Sequence, residues 1–274
     1  MQDFRGKVAV ITGGASGIGR AIAEALIAEG ARIVLADIEE TALATTAAEL
    51  AKTGAEIHPV PTDVTKAEEV VALADAVESR FGGTHLVFNN AGVAPIGPIL
   101  ETRIEDFRWV LEVNVLGVAH GIAAFGPRLV AQREGHIVNT ASSAGLVTVP
   151  GFGAYIASKH AVVGLSETLY QELAGTGVGV SVLCPGLVAT RIFESERNRP
   201  GDGGPSDYGD AGEAAQAALS ATGVAPEEIA AHVLRAIREN RMHILPSPEV
   251  RPVLEERFRR NLAGENPQLL GKID

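Results

Sequence analysis

Residues 7–19 read Lys-Val-Ala-Val-Ile-Thr-Gly-Gly-Ala-Ser-Gly-Ile-Gly. The apolar run Lys7–Thr12 predicts a short buried strand, and the apolar face of Gly17–Glu29 predicts a helix. Glycines between a strand and a helix permit a tight turn and a close approach of the backbone to a pyrophosphate, which free N–H groups at the helix start can bind. The spacing is Gly-x-x-x-Gly-x-Gly rather than Gly-x-Gly-x-x-Gly, so an ordinary glycine-rich turn is the alternative. The strand before the turn and the helix after it favour a dinucleotide site.

Strand-like and helix-like segments alternate along the rest of the chain. The predicted strands that follow are Arg32–Ala36, Glu56–Val60, His85–Asn89, His136–Thr140, Val178–Leu183 and Met242–Leu245. The predicted helices are Glu39–Lys52, Thr65–Phe81, Ile104–Asn114, Leu116–Arg133, Tyr155 to about Leu173, and Pro226–Glu239. This alternation predicts an α/β fold: a single-domain, Rossmann-type, doubly wound parallel sheet of about seven strands with helices on both faces. Ligands of such sheets bind beyond the carboxyl ends of the strands.

One segment, Arg191–Gly223, departs from this alternation. Its residues 197–205 read Arg-Asn-Arg-Pro-Gly-Asp-Gly-Gly-Pro, a composition that predicts irregular structure. A loop of that length is typical of a lid or of disorder. We therefore expect a catalytic domain at residues 1–246, with a substrate lid at residues 191–224. A C-terminal extension of unassigned role follows at residues 247–274.

The bulk composition excludes several classes of function. The net charge of −11 argues against a nucleic-acid partner. The single cysteine, Cys184, excludes an internal disulfide and fits a reducing cytoplasm. The seven histidines form no ligand cluster, so no metal is expected. No apolar run reaches the length of a membrane span and the start lacks a signal-peptide layout, so a cytoplasmic chain without a membrane partner is expected.

Acidic residues follow the second and third predicted strands. The Asp37 carboxylate can accept hydrogen bonds from both hydroxyls of an adenosine ribose, and it would repel a 2′-phosphate. No basic residue lies nearby to relieve that repulsion, so we predict NAD over NADP as cofactor. Capping of the next helix is a compatible role for Asp37. Asp63 and Val64 are placed to meet adenine, with a helix cap as an equally weighted alternative.

Tyr155 and Lys159 lie one helical turn apart on one helix face. At ~4 Å and an effective dielectric of about 20, an ammonium attracts a phenolate by about 4 kcal/mol. This attraction corresponds to a lowering of the phenol pKa by roughly three units. Burial of the phenol opposes the effect, so the figure is an upper bound. An isolated Tyr-x-x-x-Lys is more often a solvated helix face, and the function of this pair depends on the motifs around it.

Taken together and in this order, the motifs resemble the short-chain dehydrogenase/reductase family, in its branch with Thr-Gly-x-x-x-Gly-x-Gly and Tyr-x-x-x-Lys. Further matching segments are Asn89-Asn90-Ala91-Gly92, Asn114, Asn139-Thr140-Ala141-Ser142 and Pro185-Gly186-Leu187-Val188-Ala189-Thr190. The match covers roughly residues 6–190. With the turn and the acidic residues, it implies a cofactor site formed by Gly13, Ser16, Gly17, Ile18, Gly19, Asp37, Ile38, Asp63, Val64, Asn90, Ala91, Gly92, Thr140, Tyr155, Lys159, Pro185, Gly186, Val188 and Thr190.

The resemblance also assigns catalytic roles to four residues. Tyr155 is the expected general base in alcohol oxidation and the general acid in ketone reduction. Lys159 is expected to lower the pKa of Tyr155 and to bind the nicotinamide ribose. Ser142 would hold the substrate oxygen. Asn114 matches the family residue that interrupts its helix and holds a water for proton relay.

The loops after the fourth, fifth and sixth strands are apolar and predict a hydrophobic secondary alcohol or ketone as substrate. The substrate residues expected there are Ser142, Val93, Phe152, Leu187 and Phe193. Arg197 or Arg199 in the lid could meet a carboxylate, which keeps a hydroxyacyl substrate open.

Two other functions are weighed against this reading. Asp37 argues against an NADP-linked 3-ketoacyl reductase. The complete Asn, Ser, Tyr and Lys set argues against a non-catalytic NAD-binding module, since a pure binder needs no proton relay. For the assembly, the resemblance implies a homotetramer formed through the helices at 116–133 and 154–174, with a dimer second.

Overall fold

A computed structural model of the chain describes residues 1–201 and 209–267, and it describes no side chains at 209–211. Seven parallel strands form one sheet in the order β3-β2-β1-β4-β5-β6-β7. The strands are β1 Val8–Thr12, β2 Arg32–Asp37, β3 Ile57–Pro61, β4 Leu86–Asn89, β5 Gly135–Thr140, β6 Val178–Leu183 and β7 His243–Ile244. The helices are α1 Gly17–Ala28, α2 Glu40–Ala51, α3 Ala67–Phe81, α4 Ile104–Leu111, α5 Gly117–Gln132, α6 Gly153–Glu172, α7 Gly209–Thr222, α8 Pro226–Glu239 and α9 Val250–Ala263. The predicted α/β fold class is confirmed, including its seven strands.

Apolar side chains cover the sheet on both faces, as a parallel sheet requires. On one face, Ile22 and Leu26 of α1 share a core with Val233 and Ile237 of α8. On the other face, side chains of α3, α4 and α5 form a second core with the opposite sides of the strands. Every residue of β1 is buried, because β1 lies in the middle of the sheet. The carboxyl ends of all seven strands therefore meet at one edge, and the predicted functional residues follow them there.

The two helices predicted around Asn114 form one continuous run, because a π-helical segment, Glu112–Leu116, joins α4 to α5. Glycine brings this run close to the sheet: a Cβ on Gly121 would lie 1.9 Å from Asn89 Oδ1. By length and composition alone the 29-residue run Ile104–Gln132 could cross a membrane, but 56% of its most apolar window is buried in the fold. A core helix has the same composition.

The expectation of a long irregular loop at 191–224 is wrong for most of its length. Ile192–Asn198 forms a 3-10 helix, and α7 occupies Gly209–Thr222. Residues 202–208, within the predicted irregular stretch, lie outside the described part of the chain. The helix α7 forms because residues 213–219 are rich in alanine, which has the highest helix propensity. Its Leu219 is buried against the body of the protein.

The C-terminal extension contains the helix α9, which buries none of its residues. Two contacts nevertheless fix the extension beside the sheet edge. Ser247 is buried, and its Oγ accepts a hydrogen bond of 2.9 Å from the backbone N–H of Gly186. Arg257 donates to the carbonyl oxygen of Leu146 and, at 3.0 Å, to His160 Nε2. The extension thus bridges the loops that follow β5 and β6.

His136, buried in β5, makes the stability of the fold sensitive to acid. Its Nε2 lies 2.8 Å from Ser181 Oγ, and that hydroxyl donates to the carbonyl oxygen of Arg241. Ser181 can therefore only accept from His136, so Nε2 of His136 carries a proton. Burial lowers the pKa of His136 to about 3.

This lowered pKa predicts a loss of stability in mild acid. Below pH 6.5 the unfolded chain binds a proton at His136 that the folded chain refuses, so stability falls as the pH falls. Between pH 7.5 and pH 5 we expect His136 to cost about 2 kcal/mol of unfolding free energy. Urea unfolding at both pH values measures this loss, which His136→Gln should largely remove and His232→Gln, at an exposed histidine, should not. An equal pH dependence in wild type and His136→Gln would contradict the assignment.

Candidate active site

The glycine-rich turn after β1 has a backbone that only glycine accommodates well. Gly13 and Gly17 adopt φ angles of +62° and +52°, in the left-handed region. At Gly19, a Cβ would lie 2.2 Å from the carbonyl oxygen of Gly13, so a side chain there would push the turn open. Asn90, after β4, braces the turn by donating from Nδ2 to the carbonyl oxygens of Thr12 and Gly13 at 3.1 and 3.3 Å. The turn is thus a rigid cradle at the start of α1, with no side chain at its four glycine positions.

The Asp37 carboxylate lies beside this cradle at the end of β2. Its Oδ2 accepts the backbone N–H of Ala15 at 3.0 Å, and its Oδ1 accepts that of Glu39 at 3.0 Å. These bonds fix the carboxylate and leave each oxygen further lone pairs for a ligand. Burial raises the pKa of Asp37, although the backbone hydrogen bonds oppose this. Ser16, at the N-terminus of α1, makes no side-chain capping bond, so the helix start keeps N–H groups for a phosphate.

Ser142, Tyr155 and Lys159 come together between β5 and α6. The hydroxyl of Ser142 lies close enough to the phenol of Tyr155 to lower its pKa. The ammonium of Lys159 lies 5.5 Å from the centre of the Tyr155 ring and donates to the carbonyl oxygen of Thr140 at 2.9 Å. The backbone N–H of Ala144 donates to Ser142 Oγ at 3.1 Å, which orients the hydroxyl.

The predicted lowering of the Tyr155 pKa by Lys159 is wrong for this structure. Burial raises the pKa of Tyr155, and the nearby hydroxyl of Ser142 only partly opposes that effect. Burial also lowers the pKa of Lys159 to about 8. Both side chains open on the cavity but are surrounded by protein, so the cost of removing their charges from water exceeds their attraction.

Asn114 lies in the π-helical segment, behind the wall of the site, and is fully buried. Its Oδ1 accepts the N–H of Val93 at 2.9 Å, and its Nδ2 donates to the Val93 carbonyl at 3.0 Å and to Ser158 Oγ at 2.9 Å. A Cβ on Gly92 would lie 3.4 Å from both Asn114 Oδ1 and Lys159 Nζ. The missing side chain of Gly92 therefore leaves a space that these two polar atoms share.

A cavity of about 840 Å³ runs along the carboxyl edge of the sheet. Of the residues predicted for catalysis, cofactor and substrate, all but Gly19 and Asn114 line it. The predicted residues that line it are Gly13, Ser16, Gly17, Ile18, Asp37, Ile38, Asp63, Val64, Asn90, Ala91, Gly92, Val93, Thr140, Ser142, Phe152, Tyr155, Lys159, Pro185, Gly186, Leu187, Val188, Thr190 and Phe193. Within residues 1–201 and 209–267, no group of three or more His, Cys, Asp or Glu side chains is placed to hold a metal ion.

The half of the cavity beyond Tyr155 is mainly apolar. The rings of Phe152 and Phe193 lie 5.8 Å apart there, and Val93 and Leu187 extend the apolar surface. Glu249, from the C-terminal extension, also lines the cavity and was not predicted; a Cβ on Gly186 would lie 3.1 Å from its Oε1.

Arg197 and Arg199, the two arginines of the predicted lid, are paired with carboxylates of the chain itself. Arg197 pairs with Glu39 at 2.6 Å, and Arg199 pairs with Asp106 at 3.2 Å and with Glu196 at 3.3 Å. Their proposed use for a hydroxyacyl substrate is therefore not supported. Glu39 was missed as a site residue because its partner is 158 positions away in the chain.

The model of the family described as short chain dehydrogenase matches residues 7–201. The chain belongs to the short-chain dehydrogenase/reductase family. A solved short-chain dehydrogenase/reductase from Burkholderia phymatum, in complex with NAD, is 44% identical, with a TM-score of 0.95 over 100% of both chains. The present chain is also 38% identical to the C alpha-dehydrogenase of a Sphingobium species, over 94% of this chain and 86% of that relative.

A third relative of the chain is named for its substrate. It is the 1-deoxy-11-beta-hydroxypentalenate dehydrogenase of Streptomyces exfoliatus, 37% identical over 92% of this chain and 87% of the relative. The family and these relatives make the chain an NAD(P)-dependent oxidoreductase that acts on CH–OH donors.

The residues present fit a dinucleotide. The turn faces the cavity at Gly13, Ser16, Gly17 and Ile18, and its glycines allow the close backbone approach that a pyrophosphate needs. The fixed Asp37 carboxylate lies at one end of the cavity and Lys159 lies further along it. An extended ligand with a hydroxylated sugar toward each end matches this distribution of polar groups.

Proposed function

We propose that this dehydrogenase interconverts a hydrophobic secondary alcohol and its ketone with NAD, and that Tyr155 is the general acid and base. The observation that carries the proposal is the meeting of Ser142, Tyr155 and Lys159 where the polar, glycine-lined half of the cavity joins its apolar half. A reacting carbon placed there would have a proton carrier on one side and room for a dinucleotide on the other.

The three residues divide the work at the substrate oxygen. Ser142 would hold that oxygen, because its hydroxyl is already oriented by the N–H of Ala144 and lies close to Tyr155. Tyr155 would then take the hydroxyl proton in oxidation or supply it in reduction. Lys159, which donates to the Thr140 carbonyl, has two more N–H groups for a ribose hydroxyl. Asn114 would complete an exit for the proton through the space beside Gly92.

The cofactor proposed is NAD, whose nicotinamide accepts or supplies the hydride when it is bound. The buried Asp37 carboxylate favours a free ribose diol over a 2′-phosphate, since like charges would meet there. The Burkholderia relative in complex with NAD supports the same choice. The substrate that reacts with NAD in this chain would be small and apolar, because Val93, Phe152 and Phe193 line the far end of the cavity.

A panel of secondary alcohols with NAD, followed by the absorbance of the reduced cofactor, tests the proposal. We expect kcat/KM for cyclic and aryl-substituted secondary alcohols to exceed that for sugar alcohols at least ~10-fold, because polar hydroxyls would lose water against the apolar wall. A matched pair sharpens the test: an alcohol with a terminal carboxylate should react more slowly than its neutral analogue, since the Glu249 carboxylate lines the cavity. Saturation by sugars and not by hydrophobic alcohols would refute the substrate class.

The assembly proposed is the homotetramer typical of the family, through the faces of α5 and α6, and the location proposed is the cytoplasm.

Cys184 is buried, and burial raises its pKa to about 12, so the thiol is neutral and has no part in the chemistry.

A further inference from the structure

A contact between Glu39 and a distant part of the chain joins the two sides of the cavity. Oε1 of Glu39 accepts hydrogen bonds from Arg197 Nη2 at 2.6 Å, from Arg197 Nε at 3.1 Å and from Asn198 Nδ2 at 3.0 Å. Arg197 is itself held in place, because its Nη1 donates to the carbonyl oxygens of Arg191 and Glu194. Three donors converge on one carboxylate oxygen, so the contact is directional, unlike most surface ion pairs.

This contact crosses the cleft at the end where Asp37 lies. The backbone N–H of Glu39 donates to Asp37 Oδ1 at 3.0 Å, which places Glu39 next to the proposed ribose-binding carboxylate. Arg197 and Asn198 belong instead to the 3-10 segment Ile192–Asn198, which continues from the loop after β6. Both sides of the contact line the same cavity. The segment therefore reaches across the space proposed for the dinucleotide and is fastened at Glu39.

The other attachments of this segment are buried and resist opening. Ser195 is 4% exposed and its hydroxyl accepts a backbone N–H from the loop after β4. The Arg199–Asp106 pair has side chains that are 6% and 9% exposed. The side chains of Arg197 and Glu39, by contrast, are 29% and 27% exposed. Water can replace the exposed contact more easily than the buried ones, so the segment opens first at Glu39.

We propose that Glu39 is a positioning residue for the cofactor: its contact with Arg197 and Asn198 closes the segment Ile192–Asn198 over the bound dinucleotide and slows dinucleotide release. The inference rests on the proposed function, because it requires the dinucleotide to lie in this cleft. Asp37 would hold the cofactor directly, whereas Glu39 acts through the segment that covers it. The hydrogen bonds from Arg197 lower the pKa of Glu39, which keeps its carboxylate ionised at neutral pH.

The rate of NADH release tests this closure. We expect Glu39→Gln and Arg197→Gln each to raise the NADH dissociation rate constant about 3- to 10-fold, as measured by stopped-flow displacement of fluorescent NADH with excess NAD. Because both substitutions remove the same contact, the double variant should release NADH no faster than the faster single variant. Glu40→Gln is the matched control, since Glu40 is the adjacent, exposed glutamate, and its release rate should equal that of wild type.

Two results would overturn the inference alone: wild-type-like release from Glu39→Gln, or additive effects of the two substitutions in the double variant. Failure of the wild-type protein to bind NADH would refute the proposed function as well. Arg197→Lys keeps the charge but loses the forked donor geometry. It should therefore release NADH at a rate between those of wild type and Arg197→Gln. A rate equal to that of Arg197→Gln would mean that the forked hydrogen bonds alone make the closure.

Discussion

Replacing Tyr155 with phenylalanine is expected to lower kcat for alcohol oxidation at least about 10²-fold. The substitution keeps the ring and removes only the phenolic O–H, which lies close to Ser142 at the junction of the two halves of the cavity. NADH affinity is expected to stay within about threefold of wild type, since one hydrogen bond is at stake at most. Steady-state turnover and a fluorescence titration with NADH separate the two quantities.

The chain contains a matched control for this substitution. Tyr170 lies on the same helix, α6, but is 41% exposed at the surface. Tyr170→Phe should therefore turn over substrate like wild type. Wild-type-like turnover by Tyr155→Phe would instead assign the proton transfer to another group.

The pKa of Tyr155 gives the same experiment a pH signature. Burial raises this pKa, so at neutral pH the phenol is protonated and ready to act as an acid toward a ketone. Alcohol oxidation needs the phenolate, whose fraction grows as the pH rises toward the raised pKa. The wild-type oxidation rate should therefore increase with pH, and Tyr155→Phe should lose that increase. Because Lys159 titrates in the same pocket with a pKa near 8, the profile belongs to the coupled pair.

Local sequence predicts the structure around the glycine-rich turn well. The strand, turn and helix around Gly13–Gly19 are specified by neighbouring residues, and the parallel topology then brings the ends of distant strands to one edge. Tyr155 and Ser142 become neighbours in this way, although thirteen positions separate them. Asn114 could be located only by resemblance to the family, because nothing in its local sequence predicts a π-helical segment.

Features that depend on distant partners or on burial could not be predicted. The contact of Glu39 with Arg197 joins residues from opposite halves of the chain, and neither local sequence indicates the other. The shift of the Tyr155 pKa has the opposite direction to the one expected from Lys159, because the degree of burial is set by the whole fold. The helix α7 was not predicted despite its alanine-rich interior, because the glycine- and proline-rich stretch before it indicates irregular structure.

Removing the Asp37 carboxylate is expected to change the cofactor preference by about 10² or more. In the wild type, a 2′-phosphate would meet a buried carboxylate, and a like-charge contact that costs about 3 kcal/mol corresponds to roughly 10² in specificity. Asp37→Ala removes this repulsion, and it also removes the acceptor proposed for the ribose diol. Ile38→Arg, added to it, supplies a positive charge, because Ile38 is 48% exposed and lines the cavity.

The ratio of kcat/KM with NAD to that with NADP measures this preference. We expect the ratio to favour NAD in wild type, to fall about 10²-fold or more in Asp37→Ala, and to invert in the double variant. The ionisation of Asp37 supplies an internal check: because burial raises its pKa, the KM for NAD in wild type should rise in acid at a pH above the usual 3.8 of an aspartate. Asp37→Ala should lack that rise. A wild-type ratio at or below one would show that the carboxylate does not face the ribose, and the preference for NAD would then fail with it.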